Sequence, residues 1–322
     1  MITSKFKEFI FAPGTIAESC HASTVLPLDD GSVLAAWFAG EHEKADDVRI
    51  WVSKRRDGEW SYPVAVPSDK NVAHWNPVLD LRNDGTVCLY YKKGKTTPSW
   101  RTWFVLSKDN GVTWAQPQIL VPGDKIDGRG PVKNKCIRLS NGALLAPAST
   151  EQRFQWRAFI DISYDDGATW QKQKNITRPR ITDGIVGMIQ PTLWESPPGS
   201  VHALIRSSGS RIYRSDSSDY GLTWGRAYAT ALPNNNSGID CVKDDGGRVW
   251  LLYNPVEKNW GGRSPLTLAV TKDNGETWEN VLDLETREGG EFSYPAITYM
   301  DGRLHMTYTY DRKQVAYWEI GL

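Results

Sequence analysis

One eight-residue pattern recurs along the chain and leaves few folds open to it. It reads SKDNGVTW ending at Trp114, SYDDGATW at Trp170, SSDYGLTW at Trp224 and TKDNGETW at Trp278, at intervals of 56, 54 and 54 residues. A weaker copy, SKRRDGEW, ends 54 residues earlier at Trp60. A chain of 322 residues holds about six such units. A fixed period of this length marks a stacked or radial repeat, in which each unit buries its apolar face against the next. The pattern also has a mechanical reading. Asp109, Asp165, Asp219 and Asp273 can bond the backbone of a tight turn, and Gly111, Gly167, Gly221 and Gly275 supply the positive φ that the turn requires. These residues are read as structural.

Each period contains four β-like runs. First strands open near His21, Asn76, Asn134, Gln190, Ser237 and Tyr294, and second strands read VLAAWFAG, VCLYYKKG, ALLAPAST, VHALIRSS, VWLLYNPV and LHMTYTYD. The sixth unit reaches Leu322 after its third strand, while KFKEFIFAP, Lys5 to Pro13, stands unassigned at the other end. The expectation is an all-β fold: a six-bladed β-propeller over residues 1–322, a single domain closed by its own N-terminal strand. Closure removes the open edges between the first and last blades.

Composition narrows the partners. Lys+Arg and Asp+Glu are 38 each. That balance argues against nucleic acid or an anionic membrane as the main partner. No run of 18 apolar residues is present to span a membrane. The stretch Met1 to Ala12 lacks the signature of a signal peptide, which points to a cytoplasmic location. Cys20, Cys88, Cys136 and Cys241 are too scattered for a metal site or a disulfide framework and read as buried thiols. No His/Cys/Asp spacing and no glycine-rich phosphate loop calls for a metal or a nucleotide cofactor. Of 15 Trp residues the repeat absorbs about five, leaving the others available to stack on sugar rings. No pattern sets an oligomeric state.

Strand direction locates the site. Strands alternate within a blade, so the Asp/Gly turns between third and fourth strands share one face. The starts of first strands and the ends of second strands share the other, around the central channel. The residues converging there are polar: His21, Glu41, Glu43, Asp46 and Asp47 from blade 1; His74 and Asn76 from blade 2; Arg129, Lys133, Lys135 and Glu151 from blade 3. Blade 4 adds Gln190 and Arg206, blade 5 Asn236 and Arg263, and blade 6 Glu291 and Tyr294. Cations beside acids and amides suit an anionic, hydroxyl-rich ligand, and Arg forks suit a carboxylate.

At this point the chain resembles the sialidase (neuraminidase) superfamily, and within it the short sialidase-like proteins with BNR repeats, whose Asp-box is the turn pattern above. The resemblance implies a substrate carboxylate held by arginines, a Tyr nucleophile assisted by a Glu, and an acid from a blade-1 loop. It assigns Arg206 and Arg263 to the clamp, Tyr294 to the nucleophile, and Asp47, Asp46 or Glu41 to the acid. Two positions depart from the family. His21 stands where the first arginine motif would be, and Gln190 where the assisting Glu would be. Glu291 or Glu151 can take the role that Gln190 cannot, and Arg129, Lys133 and Lys135 can supply the missing carboxylate contact.

Three functions fit these residues. The first is an exo-acting, sialidase-like glycosidase on a terminal acidic sugar, with Tyr294 as nucleophile. The second is a uronate-directed lyase or hydrolase using His21 or His74 as acid or base. The third is a carbohydrate-binding propeller without catalysis. All three take an acidic carbohydrate as partner.

Overall fold

The computed structural model describes residues 2–68, 71–124, 128–152, 155–181 and 184–322. They form six antiparallel sheets arranged as the blades of a propeller. Blade 1 comprises Ser19–Pro27, Val33–Gly40, Arg49–Arg56 and the short pieces Glu59–Trp60 and Val64–Ala65. Blade 2 comprises His74–Leu81, Val87–Lys93, Arg101–Ser107 and Gln118–Ile119. Blade 3 comprises Ile137–Arg138, Leu144–Gln152, Gln155–Ser163 and Gln171–Lys172. Blade 4 comprises Met188–Glu195, Val201–Ser207, Arg211–Ser217 and Tyr228–Pro233. Blade 5 comprises Asp240–Lys243, Val249–Tyr253, Leu266–Thr271 and Glu279–Glu285. Blade 6 takes Phe292–Met300, Arg303–Tyr310 and Gln314–Gly321 from the C-terminal end, and Ser4–Phe9 as its outer strand.

The N-terminal strand pairs antiparallel with the last strand, from Ser4 against Gly321 to Phe9 against Ala316. The seam is packed as well as hydrogen-bonded. Phe11, Trp37, Val315 and Tyr317 share one buried cluster between blades 6 and 1, and Phe11 stacks on Trp37 at 4.8 Å. Glu8 accepts hydrogen bonds from Arg55 Nε at 2.6 Å and Trp60 Nε1 at 2.9 Å, tying the degenerate repeat to that strand.

The apolar core lies between blades. Leu34, Leu89 and Val105 belong to the cluster joining blades 1 and 2. Leu145, Ile160 and Ile205 join blades 3 and 4, and Leu252, Leu304 and Met306 join blades 5 and 6. Alternating strand residues face opposite neighbours, so each blade contributes to two interfaces. Full burial of such a side chain contributes about 1.5–3 kcal/mol. The four cysteines are all buried and unbridged.

The repeated turns have a common chemistry. In blade 2, Asp109 Oδ1 accepts from Ser107 Oγ at 2.7 Å and from Thr113 N at 2.8 Å, while Gly111 N donates to Ser107 Oγ. The same bonds recur at Asp165, Asp219 and Asp273. Gly111 sits at φ +83, and a Cβ there would stand 2.6 Å from Leu34 of blade 1. Gly221 would clash likewise with Leu145 of blade 3. The glycine therefore serves both the turn and the close approach of one blade to the one before it.

Two first strands are shorter than their sequences imply. In blade 3 regular pairing covers only Ile137–Arg138. Asn134 Nδ2 instead donates to the carbonyls of Gln190 and Pro191, diverting this segment toward blade 4. In blade 5 pairing starts at Asp240. There Asn234 and Asn235 side chains accept from the backbone of Asn236 and Ser237 in local turns that compete with the ladder. A short hairpin, Arg180–Ile181 with Gly184–Ile185, is inserted between blades 3 and 4.

Candidate functional site

All six blades place a non-glycine residue in the left-handed region at the entrance of the first strand or just before it. These are Ala22 (φ +54), Asn76 (+43), Lys133 (+69), Gln190 (+54), Asn236 (+59) and Tyr294 (+52). In blades 1, 2, 4 and 6 the register also shifts there, between His21 and Thr24, Trp75 and Val78, Ile189 and Thr192, and Ser293 and Ala296. A bulge turns one side chain out of the alternating pattern. A left-handed non-glycine residue costs about 1–2 kcal/mol. Six such costs around one channel concentrate strain where the polar residues gather.

Tyr294 is the centre of the gathering. Arg206, 3% exposed, donates from Nη1 to Tyr294 Oη at 2.5 Å and to Gln190 Oε1 at 3.0 Å, and from Nε to Asn236 Oδ1 at 2.9 Å. The guanidinium carbons of Arg206 and Arg263 lie 5.4 and 5.6 Å from the centre of the Tyr294 ring. The His21 ring lies 4.2 Å from it on a tilted plane. His21 Nδ1 is held by Thr309 Oγ1 at 2.9 Å. Burial, then the charges of Arg312, Arg263, Arg206 and Lys133, keep its proton affinity well below the usual imidazole range, so the ring is neutral.

Arg263 donates from Nη1 to Glu291 Oε1 at 2.6 Å and to Ser293 Oγ at 3.1 Å. Glu291 Oε1 also accepts from Arg312 Nε at 2.9 Å, and Arg312 Nη1 reaches Glu43 Oε2 at 2.7 Å. Among the described residues, Nη2 of Arg206, Arg263 and Arg312 has no hydrogen-bond partner. Three guanidinium groups thus flank Tyr294 and His21 with donors to spare, an arrangement suited to an anion. Glu151 stands behind Gln190, whose Nε2 donates to it at 3.4 Å, and burial pushes its carboxyl up to about 7.

Several other residues singled out from sequence are engaged in the frame. Arg129 is spent on Asp161, to which Nε donates at 2.8 and 2.9 Å, and on the Trp170 carbonyl at 3.0 Å. Lys135 bonds both oxygens of Asp240 at 3.0 Å and the Cys241 carbonyl at 2.7 Å. Lys133 crosses the channel beneath Tyr294 and donates to Asn134 Oδ1 and to the carbonyls of Ile239 and Pro295. Burial lowers its ammonium to about 7. His74 is sealed between blades 1 and 2, with Nδ1 on the Val48 carbonyl at 3.0 Å. Asp47 closes its own loop by accepting from Glu41 N at 2.9 Å, and Glu41 itself is exposed. Asn76 is buried, and its amide has no partner among the described residues.

Arg312 escaped the sequence reading by one position. The turn that carries it, Tyr310 to Gln314, lies on the same face as the first-strand entrances, and the adjacent cations Arg312 and Lys313 were the available signal. Trp156 and Trp260 were missed too. They meet edge to face at 6.0 Å, with the Arg206 guanidinium 5.6 Å from the Trp156 ring. Together with Ile185, Gly187, Ser208 and Asn236 they line a groove of about 440 Å3 beside the well. Trp260 is 63% exposed.

Comparison with known proteins agrees with this architecture. Residues 31–306 match the model of the BNR repeat-like domain.

The chain belongs to the BNR repeat-like family.

Within the sialidase-like BNR superfamily, this BNR repeat-like protein is 26% identical over 211 residues to a sialidase of Bacteroides fragilis, an alignment covering 61% of this chain and 36% of that protein. The chain thus matches little more than a third of that relative's length. The microbial sialidase Hz136 from the Hadza superposes with a TM-score of 0.80 at 18% identity, over 98% of this chain and 68% of that one. The Trypanosoma rangeli sialidase bound to the inhibitor DANA gives 0.77 at 17% identity, over 99% and 60%. These structural likenesses establish the shared propeller fold.

Proposed function

We propose that this BNR repeat-like protein is an exo-acting glycoside hydrolase of the sialidase kind, removing a terminal acidic sugar. The observation that carries the reading is the trio Arg206, Arg263 and Arg312 around Tyr294, each with an Nη2 donor unused among the described residues. The forks hold the sugar carboxylate. Tyr294 Oη attacks the anomeric carbon as the bond to the departing oxygen breaks. A phenol spares an anionic substrate the repulsion that a carboxylate nucleophile would bring. The Tyr294 proton passes to Glu291 or Glu151, and a blade-1 acid protonates the leaving oxygen. Water, giving a proton to that same blade-1 group, then attacks the anomeric carbon and releases the free sugar as Tyr294 Oη takes its proton back. The Trp156–Trp260 groove takes the next sugar or another flat aglycone.

The test is release of free sialic acid from aryl and natural sialosides by the purified protein, with Tyr294→Phe in parallel. Turnover by the parent and its loss in the variant support the reading. Absence of release from every linkage, at protein concentrations that bind the product, overturns it.

A second reading is favoured by one observation: His21 is neutral and its Nε2 has no partner among the described residues. Such an imidazole can take a proton next to a uronate carboxylate. An unsaturated product absorbing in the ultraviolet, lost in His21→Ala, is its signature.

A further inference from the structure

Arg312 stands in the turn between the second and third strands of blade 6, across the seam from the blade-1 loop that carries Glu43. Both Asp311 (φ +50) and Arg312 (φ +54) are left-handed. Glycine or asparagine would adopt this turn more easily, and arginine does so at a cost of about 1 kcal/mol. The side chain therefore matters more here than the turn.

Its two carboxylate partners are not equivalent. Glu291 has a second guanidinium, Arg263, and the Ser293 hydroxyl. Glu43 has no hydrogen-bond partner besides Arg312 among the described residues. Displacing Arg312 would leave Glu291 paired and Glu43 alone. The other charged groups near Glu43 include Glu151 across the well and, in its own loop, Glu41, His42, Lys44, Asp46 and Asp47. Arg312 also faces His21 and Cys20. The side chains of Arg312 and Glu43 are 28% and 35% exposed, so an incoming ligand can reach the pair.

We propose that the carboxylate of an acidic sugar takes Arg312 from Glu43, and that the freed Glu43 then binds the proton it delivers to the leaving oxygen. Substrate recognition thereby loads the acid. This rests on the glycosidase reading above and adds to it the identity and trigger of the proton donor. The proton comes from solvent. It moves to the glycosidic oxygen as the bond to the anomeric carbon breaks and the bond to Tyr294 Oη forms, and Glu43 is again a carboxylate. Loss of its cation, approach of the substrate carboxylate and exclusion of water all favour the protonated acid. Arg312 is thus a positioning and specificity residue, and Glu43 the proton donor.

The experiment is calorimetric titration of the full chain at pH 5.5 with 2,3-dehydro-N-acetylneuraminic acid, in buffers of different ionisation enthalpy. The slope against that enthalpy reads the protons taken up on binding. The expected result is uptake of about half to one proton by the parent. Uptake near zero is expected for Glu43→Gln and for Arg312→Met, with Arg312→Gln as a second neutral variant should the Met form fold poorly. Binding by the parent without proton uptake, or uptake that persists in Glu43→Gln, overturns the exchange while leaving the glycosidase reading in place. Failure of the parent to bind or turn over any sialic acid derivative removes both.

Discussion

Arg206 Nη1 donates to Tyr294 Oη at 2.5 Å, and the same nitrogen donates to Gln190 Oε1 at 3.0 Å. One buried guanidinium from the end of a blade-4 strand therefore fixes a phenol at the start of a blade-6 strand. Where a carboxylate beside the phenol would pull on its proton, the Gln190 amide accepts from the arginine and cannot take that proton. Replacement of Tyr294 by Phe keeps the ring against His21 and removes the oxygen. Turnover of an aryl sialoside should fall on the order of 10³-fold with an unchanged melting temperature. Arg206→Lys keeps a charge and loses the fork, so kcat/KM should fall about 10²-fold or more. Steady-state kinetics on both variants check this, and equal activity of Tyr294→Phe and parent would rule out the nucleophile.

The groove beyond Asn236 makes a separate prediction about the group bonded to the acid sugar. Asn236 links the two regions, accepting from Arg206 and donating to Asn259 Oδ1 at 2.9 Å, next to Trp260. Removing the exposed indole in Trp260→Ala should raise KM about 3- to 10-fold for a substrate with a sugar or aryl aglycone, on the scale of one lost aromatic contact. The methyl glycoside of the same sugar should be unaffected. A uniform loss on both substrates would show that Trp260 supports the well itself and not the aglycone.

Arg129 looks like a clamp residue in sequence and acts as a brace in the fold. Asp161 is fully buried and is satisfied by Arg129 and by Gly130 N. Arg129→Ala would leave that carboxylate buried without its cation, a change that costs about 3–5 kcal/mol. Denaturant unfolding should show this loss. In the conservative Arg129→Lys, whatever protein remains folded should keep the parental KM. A raised KM in that folded fraction would return Arg129 to the binding site.

The difference between Arg129 and Arg206 shows how far the sequence could be read. The six-fold period, the turn residues and the N-terminal closing strand were legible because each is a local signal repeated at a fixed spacing. The face on which the polar residues meet was legible from strand direction alone, and Tyr294, His21, Arg206, Arg263, Gln190, Asn236, Glu151 and Glu291 do converge there. Strand direction cannot say which cation finds a buried carboxylate first. Asp161 lies inside a strand and Asp240 opens one, with no motif to advertise that they would consume Arg129 and Lys135. Arg312 was passed over for the converse reason: a three-residue turn gives no periodic cue, although its backbone aims it at the well.

Glu151 offers a pH test. Burial lifts its carboxyl in the folded chain to about 7, and the unfolded chain holds it near the ordinary 4.5. Between these values the native state keeps a proton that the unfolded state has released. This group therefore subtracts stability progressively as pH rises from about 4.5 to 7, and by a constant amount above. Glu151→Gln removes the penalty. Relative to the parent, the variant should gain nothing at pH 4 and on the order of 1–3 kcal/mol by pH 7.5. Unfolding curves at four pH values between these limits check the sign. A gain that is flat with pH would show that Glu151 titrates alike in the folded and unfolded chain.

The turns predict their own hierarchy of glycines. Gly111 and Gly58 lie in the turns that follow the third strands of blades 2 and 1, one position apart in the repeat, at φ +83 and +87. A Cβ on Gly111 would stand 2.6 Å from the Leu34 side chain, whereas one on Gly58 meets nothing within 4 Å. Both alanine variants carry the left-handed backbone cost of about 1 kcal/mol. Only Gly111→Ala also forces two blades apart, for a total loss of about 2–4 kcal/mol. Gly111→Ala paired with Leu34→Ala separates the two effects. If the clash is the cause, the double variant should lose less than the sum of the singles, because the added methyl then sits in the space vacated by the leucine. Strict additivity would mean that the glycine is needed for the turn alone and that the blade contact has no part in it.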